Sequence, residues 1–148
     1  MTIDAGTGPF SVSMEVRVYE IDPQMHLNGG FYVQYADQAR FACVRAAGVS
    51  VEGLLADGFG PANLETVIRY HHELRGGDQV DVTCRWEWGT GKTYRVHHDF
   101  LREDGTVAAE VHHVSGLLDL AARRLVADPA ARWRSRAARP DLLGLDPR

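Results

Sequence analysis

Lysine is almost missing from this chain. Lys92 stands alone among sixteen basic residues, the rest being arginine. With a formal net charge of −4 there is no broad electrostatic attraction to nucleic acid. Cysteine is nearly as scarce. Cys43 and Cys84 stand at no metal-ligand spacing and fall on apolar positions of periodic segments, which predicts buried free thiols and fits a reducing cytoplasm. No run approaches the ~18 apolar residues of a membrane span. Met1 to Pro9 has neither the basic start nor the apolar stretch of a secretory signal. Internal repeats and low-complexity tracts are absent. The expectation is a cytoplasmic protein with no nucleic acid and no membrane among its partners.

What is present reads as one globular domain of 148 residues with an ordinary apolar content of 45%. Residues 1–9 are expected to be loose. Residues 11–20 alternate, with Val12, Met14, Val16 and Val18 in one phase, and predict a strand. From about Gly30 to Ala47 the period turns helical, with Phe31, Tyr35, Ala39, Ala42, Cys43 and Ala46 on one stripe. Ser50 starts a short second helix, and residues 58–61 read as a loop. Strands follow over 64–74, 80–88, 92–102 and 106–120, with a short continuation at 123–126. Their short turns predict an antiparallel meander wrapping the one long helix, an α+β architecture. Trp86 or Trp88, and Phe100, are expected to face that helix. Open sheet edges predict association with further copies. The arginine- and alanine-rich tail, residues 127–148, reads as a surface helix to about Arg139 and a frayed end.

The chemistry concentrates between residues 19 and 40. Asp22, Gln24, His26 and Asn28 put a carboxylate, two amides and an imidazole within seven residues. Asn28-Gly29-Gly30 then leads into the helix, whose first N–H groups lack partners inside it and favour negative charge. A carboxylate facing such donors is a plausible hydrolase centre.

Asp22-Pro23-Gln24-Met25-His26-Leu27-Asn28-Gly29-Gly30-Phe31-Tyr32 resembles the D-x-x-G-H-V-N-N-x-x-Y signature of hotdog-fold acyl thioesterases of the 4-hydroxybenzoyl-CoA thioesterase family. Asp22, His26, Asn28 and Tyr32 match in register, as do Asp37 and Arg40 on the helix. Weaker likenesses extend the similarity over residues 11–126: Ile68-Arg69-Tyr70, Gly77-Asp78-Gln79-Val80, Gly91-Lys92-Thr93 and Leu118-Asp119…Arg123-Arg124. Met25 departs from the family's glycine and Gly29 from its second asparagine. The resemblance implies a single hotdog domain over 1–148 and a homodimer or homotetramer with the thioester bound across the subunit interface. It implies hydrolysis of an acyl-CoA or acyl-carrier-protein thioester, with coenzyme A only as part of the substrate and no metal or other cofactor.

On that resemblance Asp22 attacks the carbonyl or activates a water. The plainer role is an Asp-Pro turn or a helix cap. Gly29 and Gly30 present amides to the thioester oxygen, or serve conformation alone. His26 orients the acid or assists the leaving thiolate, or merely packs. Gln24 stands where plant acyl-carrier-protein thioesterases carry a catalytic asparagine, and Asn28 reads as a cap. Asp37 is the rival acid, because a second hotdog branch carries its carboxylate on the helix after a Gly-Gly pair; the alternative is an Arg40-paired surface residue. Glu65 and Tyr70 are weaker pocket candidates. Lys92 and Thr93, with Arg95, are candidate contacts for coenzyme A phosphates. The doublets His71-His72, His97-His98 and His112-His113 put only one imidazole each on a given sheet face, with no Cys or Asp cluster beside them, so no metal is expected. A hydroxyacyl-thioester dehydratase and a non-catalytic acyl-CoA-binding module are the alternative functions.

Overall fold

Strict alternation in the second half of the chain does what it predicts. In the computed structural model, which describes residues 8–146 and the backbone of residues 2–4, one antiparallel sheet runs β1 (Thr2–Asp4), β2 (Phe10–Glu15), β4 (Gln79–Trp88), β5 (Thr93–Arg102), β6 (Val107–Asp119) and β3 (Phe59–Tyr70), with β7 (Arg124–Leu125) paired to the end of β6. The inward phase of β4 to β6 packs on helix α1 (Phe31–Ala46). Ala36 and Ala39, both fully buried, let that helix lie close to the sheet. Phe100 lies against Tyr32 and Tyr35 with ring centroids 5.3 and 6.3 Å apart. Ser50 caps the short helix α2 (Val51–Ala56) by accepting from the Gly53 amide. Cys43 and Cys84 are buried free thiols.

Pairing departs from the expected four-strand meander. Only β4, β5 and β6 meander; β3 lies on the far side of β6, and β2 lies beside β4. The Arg75–Asp78 turn exists, with Gly77 at φ +90°. It does not make a hairpin of β3 and β4, because Leu74 is drawn into the core and its carbonyl accepts from the Leu27 amide. Alternation sets which face of a strand is buried, not which strand lies beside it.

Three boundaries also shift. The strand expected over 11–20 ends at Glu15; Val18–Glu20 form a 3-10 turn, leaving Val18 and Tyr19 largely exposed. Of the loop expected at 58–61, Gly58 is a turn residue at φ +92°, and the rest is instead the start of β3, paired with β6. Of the segment expected to be loose, Thr2–Asp4 pair with Ser11–Ser13, while residues 1 and 5–7 lie outside the described residues.

The tail is not a surface appendage. Helix α3 (Pro129–Arg136), capped by Asp128, sinks Trp133 to 1% exposure. The following 3-10 turn buries Leu143, whose carbonyl accepts from Trp88 Nε1 at 2.6 Å. Gly144 has φ +67°, and a Cβ there would stand 2.8 Å from the Trp86 carbonyl, so the turn needs glycine. The frayed end expected from Pro140 is thus ordered to Asp146; residues 147 and 148 lie outside the described residues. Spaced apolar anchors, Trp133, Leu143 and Leu145, outweigh the charge around them.

Two imidazoles, His98 and His113, are fully buried on the helix-facing side. Burial pushes His98 down to about 3 and His113 down to about 4, Arg40 adding to both shifts. Their folded values lie below the ordinary ~6.5. The unfolded chain therefore takes up protons that the folded chain refuses as pH falls below that value, and stability is lost in that direction. Urea midpoints measured from about pH 7 down to about pH 5, above the carboxylate range, are expected to fall steadily. A flat profile would contradict two buried neutral rings.

Candidate active site

The loop after β2 is held by two carboxylates. Glu20 sits in the apolar phase of the 12-14-16-18 alternation, a signal that the sequence reading passed over. It is 8% exposed and accepts from the Tyr35 hydroxyl and, at 3.0 Å, from the Arg17 amide. Its carbonyl takes the Asn28 amide at 2.9 Å. Burial, then the hydrogen bond to Glu20, pushes the Tyr35 phenol up. This contact clamps both ends of the loop to α1.

Asp22 organises the loop itself. Its Oδ1 accepts from the amides of Gln24 at 2.9 Å and His26 at 3.2 Å. The backbone closes on itself, Asp22 N–H donating to the His26 carbonyl at 2.8 Å and Met25 N–H to the Asp22 carbonyl at 2.9 Å. That ring of bonds forces Met25 to φ +67°, the left-handed region natural to glycine. The departure at Met25 therefore leaves the loop's form intact, and its side chain points outward, 61% exposed. Met25→Gly is expected to raise the unfolding midpoint by the equivalent of roughly 1 kcal/mol of relieved strain, read by thermal or urea unfolding; a lower midpoint would mean that the methionine side chain contributes more than its backbone costs.

His26 is half-buried, with Nε2 3.2 Å from Glu73 Oε2. Glu73 also holds Arg75, which together with His26 keeps its carboxyl low. The Asn28 side chain accepts from the Gly30 amide at 2.9 Å and its carbonyl from the Phe31 amide at 2.9 Å, so Asn28 shapes the turn into the helix, whose N-cap position itself falls on Gly30 with no side-chain cap. With Gly30 and Phe31 engaged, the helix start leaves the amides of Tyr32 and Val33 without intrahelical partners. Tyr70 donates to the Gly29 carbonyl at 3.4 Å and meets Tyr32 edge-on at 5.0 Å. Burial, then the neighbouring Tyr70 and Asp22, pushes the Tyr32 phenol up to about 12. The Asp22 charge thus reaches the Tyr32 phenol. Asn28, Gly29, Gly30 and Tyr70 all lie at the surface.

Asp37 stands apart from this loop, farther along α1. It pairs with Arg40 at 3.2 Å, and Arg40 also donates to Asn63 Oδ1 at 2.7 Å. Both line a cavity of about 180 Å³ with Phe41, Trp86, Tyr94 and Trp133. Sequence reasoning missed this chamber because two of its walls come from the sheet and one from the tail. The cue was three aromatics, Trp86 and Tyr94 on neighbouring strands and Trp133 in the tail helix.

Lys92 and Thr93 are not brought to the loop of their own chain. They lie at the opposite end of β5 from Phe100, roughly 23 Å away at strand rise. Glu65 is exposed on β3. The doublets His97-His98 and His112-His113 split across the sheet faces as alternation requires, whereas His71-His72 lies just past the end of β3 with both rings exposed. His97 and His112 meet on the outer face with Nδ1 atoms 2.7 Å apart, flanked by Glu87 and Glu110; His71 also pairs with Glu110. Among the described residues no group of three or more His, Cys, Asp or Glu could hold a metal ion, and no helix is long and apolar enough to cross a membrane.

The sequence profile of the thioesterase-like superfamily matches residues 16–140. The L-carnitine dehydrogenase/betainyl-CoA thioesterase of Agrobacterium fabrum (strain C58) is 28% identical over 88% of this chain, and the chain spans 28% of that relative's length. The probable thioesterase YbaW of Escherichia coli superposes with a TM-score of 0.76 at 20% identity, over 85% of this chain and 94% of that one. The 1,4-dihydroxy-2-naphthoyl-CoA thioesterase of Synechocystis superposes with a TM-score of 0.78 at 14% identity, over 87% and 95%. These structural likenesses show that the fold is shared.

Proposed function

The chain belongs to the thioesterase-like superfamily, with its hotdog fold, and from that premise we propose that it hydrolyses an acyl-CoA thioester to free acid and thiol. The carbon–sulfur bond breaks, a water supplies the new acyl oxygen, and the thiolate leaves with a proton. Asp22 either attacks the carbonyl or takes the proton of the attacking water. The carbonyl oxygen rests on main-chain donors where the loop becomes α1, a site made for developing negative charge. The observation that supports this reading is the closed Asp22–His26 loop, which fixes a carboxylate eight residues before the helix start at Gly30, with its charge reaching the Tyr32 phenol.

Support for a composite site comes from β3. This edge strand leaves Leu64 52% exposed and, beside Gly29, Tyr70 57% exposed. A second copy covering that edge would bury them and complete the cleft, as a homodimer or within a homotetramer. Asp37 stands eight residues, about 12 Å, along α1 from Gly29. A helix start meeting substrate at the Asp37 rim would then belong to a second copy, and so would Lys92 and Thr93 as contacts for coenzyme A phosphates.

One observation favours a second assignment of the acid. Asp37 lines an aromatic chamber, whereas Asp22 Oδ1 is already engaged by two amides. In that version Asp37 carries the chemistry and Asp22 shapes the loop.

The deciding experiment is a screen of aryl, short-chain and long-chain acyl-CoAs with the released thiol trapped by a thiol reagent. Steady thiol release is the expected result. Acyl-CoA bound but unchanged over hours would make this a binding module, and water lost from a hydroxyacyl-CoA with the thioester intact would make it a dehydratase.

A further inference from the structure

We propose that the chamber behind Asp37 receives the acyl group and limits it to a short, uncharged one of about seven carbons or fewer; this rests on the thioesterase reading above and names its substrate class. The chamber has an open end and a closed one. Along one stripe of α1 the Asp37 side chain is 49% exposed and Phe41 44% exposed, while Val44, two turns from Asp37, is buried. That run spans ~10 Å. At the inner end Trp86, Tyr94 and Trp133 pack on one another and Trp86 and Tyr94 on Trp88, with ring centroids 4.5 to 6.4 Å apart. Trp133 Nε1 donates to the Tyr94 hydroxyl at 3.3 Å. Rings committed to each other in this way close the chamber, and the one that completes the closure, Trp133, comes from the tail helix. The thioester carbonyl then stands at the Asp37 rim, where a second copy's helix start would meet it.

Size and charge narrow the acyl group. The volume is about 180 Å³, a little more than the ~150 Å³ of an apolar cavity that holds benzene. Six or seven carbons fill such a space, and a lauroyl or palmitoyl chain has no room past the rings. The charged groups on the lining are Asp37 and Arg40. The Arg40 charge reaches inward to Tyr94, His98 and His113, which opposes a cation in the chamber. The Asp37 carboxylate at the open end opposes an anion. Phe41, Val44, Val51 and Pro61 supply apolar lining, against which an uncharged hydrocarbon gains by leaving water.

The test is a chain-length series on the wild-type protein, from acetyl- through butyryl- and hexanoyl- to lauroyl- and palmitoyl-CoA below their micelle concentrations, with the released thiol trapped. The expected kcat/KM rises at least ~10-fold from acetyl to hexanoyl, the scale of methylene groups seated in an apolar pocket, and falls at least ~10-fold from hexanoyl to lauroyl. Val51→Phe adds a ring at the chamber wall where α2 begins, and the hexanoyl-to-acetyl ratio is expected to fall at least ~10-fold. A profile that is flat or still rising at palmitoyl overturns the proposal. So does hydrolysis of other acyl-CoAs with none of this series cleaved, or an unchanged ratio in a folded Val51→Phe; in each case thioester hydrolysis stands. If no acyl-CoA releases thiol at all, the thioesterase reading fails and this proposal with it. The wild-type series decides the matter even if the variant does not fold.

Discussion

Asp22→Asn is expected to lower turnover of a good acyl-CoA substrate by at least ~10², the scale of losing acid–base or nucleophilic participation. The substitution isolates charge from structure. An asparagine oxygen can still accept from the amides of Gln24 and His26, which now bond to Asp22 Oδ1. The loop should keep its form, and the unfolding midpoint should move little. Asp37→Asn is the paired measurement. Its carboxylate is about half exposed and pairs with Arg40 across one helical turn, an arrangement worth only ~0.3–0.5 kcal/mol. Neither variant therefore loses activity by unfolding. A ~10² loss in Asp37→Asn with Asp22→Asn nearly active would move the catalytic acid onto the helix and leave the reaction class unchanged.

Trp133→Ala is expected to cost about 3–5 kcal/mol, the range for truncating a fully buried aromatic. A domain of this kind has only ~5–15 kcal/mol in total. Among the described residues Trp133 is the largest fully buried side chain. It packs on Trp86 and Tyr94 and carries α3 against the sheet, and beyond it Leu143 and Leu145 are buried too. The urea midpoint should fall far below that of the wild type. Asp141→Ala, which removes an exposed pairing with Arg139 in the same tail, should change it by under ~1 kcal/mol. A loss below ~1 kcal/mol in Trp133→Ala would mean that the tail is dispensable to the core.

The two results bear on different kinds of information in the chain. Asp22, His26, Asn28 and the glycine pair lie within nine residues, and their contacts are formed by groups two to four positions apart. Such contacts are legible because local spacing alone decides whether a side chain can reach a nearby amide. Met25 shows the strength of that local code. Its backbone takes a glycine conformation because the hydrogen bonds around it require one. Helix α1 and strand β4 were legible for a related reason, since their periods were unbroken, and short turns delimited β5 and β6.

What escaped the sequence reading depended on distant partners. Glu20 reads as the polar end of a strand until Tyr35, fifteen residues on, takes it into the core. Arginine-rich composition made the tail look like a surface helix, although Trp133 had a place between Trp86 and Tyr94.

The sequence by itself determined the kinds of element, their faces, and the chemistry of the loop that enters α1, because each follows from periods and hydrogen bonds spanning a few residues. Only the tertiary structure decided that β3 lies beside β6, that Leu74 crosses into the core, and that three rings from two strands and the tail enclose one chamber. Burial is won by whichever distant surfaces fit together, and no local pattern records that competition.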